Sequence, residues 1–257
     1  MNDLQVVWPK GWIAEEFERA GCAVSRHTGM DVVEQTGPIW WATEHATKSM
    51  AAGYRTTLTA PNGCFLAQLP KWAVNRNIRW STPQREAQNS DVRFVKSANS
   101  KIVGPGDVGR AMVANVDDWV RACTALGVPG STPIIISDPV IFSEEWRCWY
   151  DGMRVTEMSL YQKDGFIWDE WPVIDPPKEY RAFGEDIGKL VQEACTIDIG
   201  LIDGKLSVVE FNPVWSSGMY TSDFREIYQA IKGGYERAKI GQGTKWISDP
   251  WLQSKFK

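Results

Sequence analysis

Short apolar runs alternate with amphipathic stretches along this chain, and the spacing predicts mixed α and β structure in three segments. In the first, residues 1 to about 88, Val6-Val7 opens a short strand. Ile13 to Gly21 reads as an amphipathic helix stopped by Gly21, and Cys22-Ala23-Val24 as the next strand. Leu66 to Ala87 mixes Arg, Asn and Trp without a clean period and is read as helix. In the second segment, 89–137, Val92 to Lys96 alternates as a strand. Asp117 to Gly127 has the cap and stop of a helix, and Ile134-Ile135-Ile136 is a buried strand broken by Ser137-Asp138-Pro139, a hinge between lobes. In the third, 138–257, Glu145–Tyr150 and Met153–Tyr161 flank Asp151-Gly152 as a hairpin. Trp171–Tyr180 is a proline-containing loop and Phe183–Cys195 an amphipathic helix, while the tail beyond Gly241 is read as an arm or a partly disordered stretch.

The most informative pattern follows that last helix. From Thr196 to Pro213, two apolar runs flank Asp203-Gly204, a strong hairpin signal, and Asp198, Glu210 and Asn212 interrupt them. An unpaired carboxylate in a core is costly, so oxygen-bearing side chains there need a partner. A hard divalent cation is one, since Mg²⁺ takes one or two carboxylates together with phosphate oxygens. Register decides whether the three meet. A two-residue Asp203-Gly204 loop sets Asp198 opposite Val209, pointing away from Glu210. A three-residue loop Ile202-Asp203-Gly204 puts all three on one face, and the metal reading therefore predicts the longer loop. The competing reading is a surface hairpin with solvated acids.

Composition narrows the chemistry. The chain has 257 residues, 43% hydrophobic and 23% charged, with a net charge of −4. This argues against a nucleic-acid partner or attraction to an anionic membrane. No apolar run nears the roughly 20 residues of a membrane span, and the N-terminus carries no secretion signal. The expected location is the cytoplasm. Five widely spaced cysteines and two histidines, His27 and His45, make zinc, a disulfide framework and histidine-based hydrolysis poor fits. Lys, Arg, Asp and Glu must carry the reaction. The fourteen tryptophans are read mainly as core, with one or two open to stacking a base or sugar.

Lys96 ends an apolar strand, and Lys101 precedes Gly104-Pro105-Gly106-Asp107-Val108-Gly109. Lysine beside a glycine-containing loop is a reasonable phosphate ligand, although the spacing is neither a P-loop nor a dinucleotide fingerprint. A solvated lysine is the competing reading. Arg147, inside an aromatic strand, suits bidentate phosphate binding or a structural salt bridge with Glu145 or Glu157.

Taken in order, RFVKSANSK, PIIISDPVIF, SEEWRCWYDG, TIDIG and VVEFNPVWSSGMY resemble the ATP-grasp superfamily, over residues 90 to 225. The likeness is to the compact branch related to ribosomal-protein glutamate ligases, common in phage and bacterial accessory genes. It implies an α+β fold in which two α/β lobes sandwich the nucleotide, preceded by an N-terminal α/β domain. The implied division is 1–88, a small central lobe at 89–137, and a large lobe with tail at 138–257.

The same resemblance implies ATP and Mg²⁺. Lys96 and Lys101 would hold the phosphates, and Ile135, Ile136, Ser137, Asp138 and Val140 would line the adenine pocket. Arg147, with Lys101, would act on the transferred phosphoryl group, while Asp198, Glu210 and Asn212 hold the metal. The implied reaction joins a small-molecule or peptide carboxylate to an amine through an acylphosphate, releasing ADP and phosphate. A non-catalytic nucleotide-binding module is the alternative. Trp215 to Tyr220 would touch the carboxylate substrate, or else form a capping turn before Asp223. A homodimer remains open, and a phage-encoded copy would work in the host cytoplasm.

Overall fold

The computed structural model describes residues 3–8, 11–30, 32–99, 112–167 and 174–256. Its regular elements, in chain order, begin with β1 (Leu4–Val7), α1 (Trp12–Arg19), β2 (Val24–Arg26), β3 (Ile39–Trp41) and α2 (Thr43–Ala51). Then come α3 (Lys71–Val74), β4 (Ile78–Ser81), α4 (Pro83–Glu86), β5 (Val92–Ser97), β6 (Met112–Asn115), α5 (Val116–Ala125) and β7 (Ile134–Ser137). The remainder are β8 (Glu144–Tyr150), β9 (Val155–Lys163), β10 (Phe166–Ile167), α6 (Lys178–Val191), β11 (Cys195–Ile202), β12 (Lys205–Asn212), α7 (Phe224–Lys239) and α8 (Pro250–Ser254). They fall into two compact units, one of residues 1–61, 142–201 and 208–257, the other of 62–141 and 202–207.

In the first unit β1 lies between β2 and β3, parallel to both, which requires crossover connections such as α1. The faces of α1 and α7 that carry Phe17 and Ile227 enter a shared core with Leu4, Val7, Trp41 and Trp149. The larger sheet, ordered β10-β9-β8-β11-β12, is antiparallel at its β10–β9, β9–β8 and β8–β11 pairings. Helix α6 approaches it through two glycines. A Cβ on Gly184 would stand 2.8 Å from Cys148 Sγ, and one on Gly188 would stand 2.4 Å from the Tyr150 ring. In α6 the missing side chains let helix and sheet close up.

The second unit holds the antiparallel sheet β4-β7-β5-β6. Val95, Ile134 and Ile136 are buried there, as are Val116, Trp119, Val120 and Cys123 of α5. Asn115 caps α5 by accepting from the Asp117 and Asp118 amides, and Gly127 stops it in the left-handed region with φ 78°. The tip of the β11–β12 hairpin is bound into this unit. Arg76 donates to Ser207 Oγ at 3.1 Å, and Asn75 donates to the Leu206 carbonyl at 2.7 Å.

Several expectations are corrected. Leu66 to Ala87 is not one helix: a 3-10 turn, α3, β4 and α4 occupy it, divided by Pro70, left-handed Asn75 and Pro83. Helix α6 starts at Lys178, earlier than expected, because Pro177 fits just ahead of a first turn. It ends at Gln192 with φ 59°, leaving Cys195 to open β11. The tail is an ordered part of the first unit. Ala60 N–H donates to the Thr244 carbonyl at 3.1 Å, Trp246 N–H donates to Leu58 at 2.8 Å, and the Trp246 ring meets Trp215 edge-on at 4.8 Å. The loop at Asp203-Gly204 has two residues, with φ 49° and 73°, the signature of a type I′ turn, and not three. Among the described residues, no helix is long and apolar enough to cross a membrane.

Candidate functional site

Four strands of the larger sheet, β8, β9, β11 and β12, build a polar cluster in the first unit. Cross-strand pairing sets Asp198 of β11 beside Arg147 of β8, and Arg147 beside Ser159 of β9. On the opposite face Ile197 and Ile199 are fully buried. Arg147 Nε donates to Asp198 Oδ1 at 2.8 Å and Nη2 donates to Oδ2 at 2.7 Å, a bidentate pair between side chains that are 8% and 0% exposed. Nη1 donates to the Gly218 carbonyl at 3.2 Å. Burial opposes charge on Arg147, but the Asp198 carboxylate more than offsets this and keeps the guanidinium protonated.

Asn212 joins both acids. Its Nδ2 donates to Asp198 Oδ2 at 3.2 Å and to Glu210 Oε1 at 2.9 Å. The three hairpin residues therefore do meet, even though the loop has two residues. Uninterrupted pairing from a two-residue turn would set Glu210 and Asn212 on the face away from Asp198, yet the Asn212 amide reaches both carboxylates. A three-residue loop is therefore not required for the three side chains to meet.

An irregularity shapes the other side. Trp146 pairs with Leu160 but Glu145 with Gln162, so Tyr161 is an extra residue in β9. Its hydroxyl donates to Glu145, and its ring lies 5.2 Å from Arg147 Cζ. Tyr220, on the segment after β12, places its ring at the same 5.2 Å. Burial raises the Glu145 carboxyl to about 7, with the Asp198 and Glu210 charges adding to the effect. Burial also raises the Tyr161 and Tyr220 hydroxyls. Sequence reading missed Tyr161, offered Glu145 only as an ion-pair partner of Arg147, and offered Tyr220 only as the end of a substrate-touching segment. The alternation of β8 puts Glu145 on the Arg147 face, but nothing in the residue pattern marks the bulge that brings Tyr161 there.

Asp198 brings one carboxylate to the Arg147 guanidinium, Asn212 links it to that of Glu210, and Glu145 adds a third acid. Hard oxygen donors with a surplus of acid fit a divalent cation that keeps water and phosphate oxygens as further ligands. Glu210 and Asn212 are partly exposed, whereas Asp198 is fully buried. Among the described residues, no group of three or more His, Cys, Asp or Glu stands in metal-binding geometry, so an amide oxygen would have to complete this set.

The remaining sites lie in the second unit. Lys96 of β5, Ile135 of β7 and Trp80 of β4 form one cross-strand row on a single face. Ile136 points to the other face, beside Arg79 and Val95. Ser137 is buried and its hydroxyl donates to the Asp138 carbonyl at 3.1 Å. The Asp138 carboxylate accepts from Asn77 Nδ2 at 2.8 Å and Arg93 Nη1 at 3.2 Å, and Val140 is half-buried. Lys101 and the glycine-containing loop lie outside the described residues. Of the segment Trp215–Tyr220, Trp215 is buried and its Nε1 donates to the Thr59 carbonyl at 2.9 Å, while Asp223 caps α7.

Comparison with known proteins gives a family and a fold. An ATP-grasp domain family, the third family of its clade, matches residues 34–231. No curated protein matches the chain. Among solved structures, the D-alanine-D-alanine ligase from Coxiella burnetii is similar with a TM-score of 0.54 at 11% identity, covering 93% of this chain and 95% of that one. A RimK domain ATP-grasp protein from Sphaerobacter thermophilus DSM 20745 has a TM-score of 0.48 at 13% identity, with 91% and 99% covered. The macrocyclase MdnC from Microcystis aeruginosa MRC, bound to its precursor peptide MdnA, has a TM-score of 0.45 at 12% identity, with 93% and 99% covered. At such identities the likeness concerns fold alone.

Proposed function

Because the chain belongs to this ATP-grasp domain family, with the α+β fold of the superfamily, we propose that it is an ATP- and Mg²⁺-dependent carboxylate–amine ligase. The single observation that carries the reading is the Asn212 amide joined to both Asp198 and Glu210 beside the Arg147 guanidinium. Phosphoryl transfer needs charge neutralisation and positioning more than a protein nucleophile, and this cluster offers that chemistry.

In this reading Glu210, Asn212 and Asp198 hold Mg²⁺, which when bound would neutralise charge on the phosphates. Lys96 and Lys101 bind phosphate oxygens, and Ile135, Ile136, Ser137, Asp138 and Val140 belong to the adenine contact. Arg147 stabilises the charge of the phosphoryl group as it passes from ATP to a carboxylate oxygen, with ADP as the leaving group. An amine then attacks the acylphosphate carbonyl carbon, forming the amide and expelling phosphate. The carboxylate and amine belong to an amino acid, peptide or protein terminus, and the reaction belongs to the cytoplasm. A homodimer and the three-segment division 1–88, 89–137 and 138–257 stand as parts of the same proposal.

Calorimetric titration of the full chain with ATP and Mg²⁺ tests it. Saturable binding is expected, weakened at least tenfold by Glu210→Ala and by Lys96→Ala, a loss of about 1.4 kcal/mol each. No binding by the unmodified chain, or equal binding by both variants, refutes the assignment.

A further inference from the structure

We propose that Tyr220 is a positioning residue for Arg147: a ring carried on left-handed backbone that, with Tyr161, fixes the plane and direction of the guanidinium. The inference rests on the ligase reading for what Arg147 then does, but not for the contact itself.

Three observations support it. First, Tyr220 has φ 47°. A bulky residue there is a genuine outlier, and such strain persists where the surroundings over-determine it and clusters at functional sites. The other described non-glycine residues with positive φ have ordinary reasons. Asn75 and Gln192 end helices, and Asp164 and Asp203 sit in hairpin turns. Tyr220 also lies in a turn, Met219 to Ser222, closed by Ser222 N–H donating to the Met219 carbonyl at 3.2 Å, but it fills the left-handed position with a large ring where glycine or asparagine is usual. Second, the strain puts the ring where a cation is. Arg147 Cζ lies 5.2 Å from the centroids of both Tyr220 and Tyr161, and the two rings stack 5.0 Å apart at 24°. A desolvated cation within about 6 Å of two ring centroids is attracted by both. Third, the same short segment grips Arg147 twice, since the Gly218 carbonyl accepts from Nη1. A Cβ on Gly218 would stand 3.3 Å from the Tyr220 ring, so a larger residue there would press on that ring.

The arrangement leaves little rotational freedom to a side chain that is otherwise long and flexible. An arginine that must meet developing charge contributes most when its orientation is set beforehand. The ring supplies the hold; the hydroxyl is dispensable for it.

The test compares Tyr220→Phe, Tyr220→Leu and Tyr220→Asn in the full chain. Asn tolerates left-handed backbone, so the third variant folds even if the second does not. The Arg147 side-chain Nε–H resonance, identified by its loss in Arg147→Lys, is followed without ligand. Tyr220→Phe is expected to keep its position and slow exchange. Tyr220→Asn is expected to shift it and to speed exchange roughly tenfold, even with its fold and thermal stability retained. The second readout is preference for ADP, Mg²⁺ and fluoroaluminate, a mimic of the transferring phosphoryl group, over ADP and Mg²⁺ alone. Preference is expected to survive in Tyr220→Phe and to fall about tenfold in Tyr220→Asn, with binding of ADP and Mg²⁺ unchanged. An unmoved resonance and an undiminished preference in Tyr220→Asn overturn the proposal. If the unmodified chain shows no such preference, the ligase reading fails and the resonance alone decides on Tyr220.

Discussion

Arg147 and Asp198 face each other across neighbouring strands and are joined by two hydrogen bonds, 2.8 and 2.7 Å long, with both side chains nearly sealed from water. Both residues come from the middle of the larger sheet, so the pair is held by backbone pairing on each side. Such a pair is poor grounds for inferring net stability, because desolvation offsets much of the Coulomb attraction. Its value is geometric: it fixes two polar groups of the cluster relative to each other.

Breaking the pair from one side should therefore cost more than replacing it. Asp198→Ala leaves a buried guanidinium uncompensated and is expected to lower unfolding free energy by about 3–5 kcal/mol. The double replacement Arg147→Met with Asp198→Leu should recover much of that loss. Denaturant titration of the three proteins checks it, and additive losses would contradict the account.

Glu145 sits two residues before Arg147, and burial holds its carboxyl at about 7. A raised folded-state value means that the folded chain binds more protons than the unfolded chain between about pH 4.5 and 7. Its contribution to stability is thus complete below about 4.5 and is lost as pH rises through 7. Glu145→Gln should flatten that limb of the stability profile, with a gain over the unmodified chain at pH 8 on the order of 2 kcal/mol. Thermal unfolding across pH without divalent cation measures it.

Glu86 gives the opposite limb. It is buried and accepts from Arg79, Asn89 and Ser81, and the Arg79 hydrogen bond chiefly lowers its carboxyl to about 2. Its stabilisation is present above about pH 4.5 and disappears as pH falls toward 2. Glu86→Gln should remove on the order of 2 kcal/mol at pH 7 and make the acid limb shallower, as read by urea titration at pH 3, 5 and 7.

Gly188 is inside a helix, where alanine is normally better by about 1 kcal/mol. Here a Cβ would enter the ring of Tyr150, a side chain only 2% exposed and unable to move aside. Gly188→Ala should therefore destabilise by about 1–3 kcal/mol, the usual cost of overpacking. A thermal shift upward would mean that α6 sits further from the sheet.

Much of this organisation is legible in the residues. The alternation of Val92 to Lys96, the apolar run Ile134 to Ile136 and the Asp151-Gly152 turn signal are reproduced by the sheets as β5, β7, β8 and β9. The meeting of Asp198, Glu210 and Asn212 could be anticipated from oxygen-bearing groups in apolar runs. Their meeting across a two-residue turn could not, because an ideal ladder from that turn sets them on opposite faces. The contacts of Tyr161 and Tyr220 with Arg147 were hidden because each depends on one local backbone irregularity. The strand β3 and helix α2 went unread, since Ile39-Trp40-Trp41 is too short to show a period and α2 carries a weakly amphipathic mix of Thr, Ala, Lys and Ser. The tail was misread because Trp246 finds its partner, Trp215, thirty-one positions earlier in the chain.

The central claim is that ATP activates a carboxylate by phosphorylation. It is tested by incubating the full chain with ATP, Mg²⁺ and a panel of amino-acid and peptide carboxylates, with hydroxylamine as a small amine that traps an activated acyl group. Nucleotide products and acyl hydroxamate are measured together. The account predicts ADP and hydroxamate in equal amounts with at least one carboxylate, both abolished by Glu210→Ala. AMP and pyrophosphate in place of ADP, or ADP release indifferent to every carboxylate offered, would contradict it.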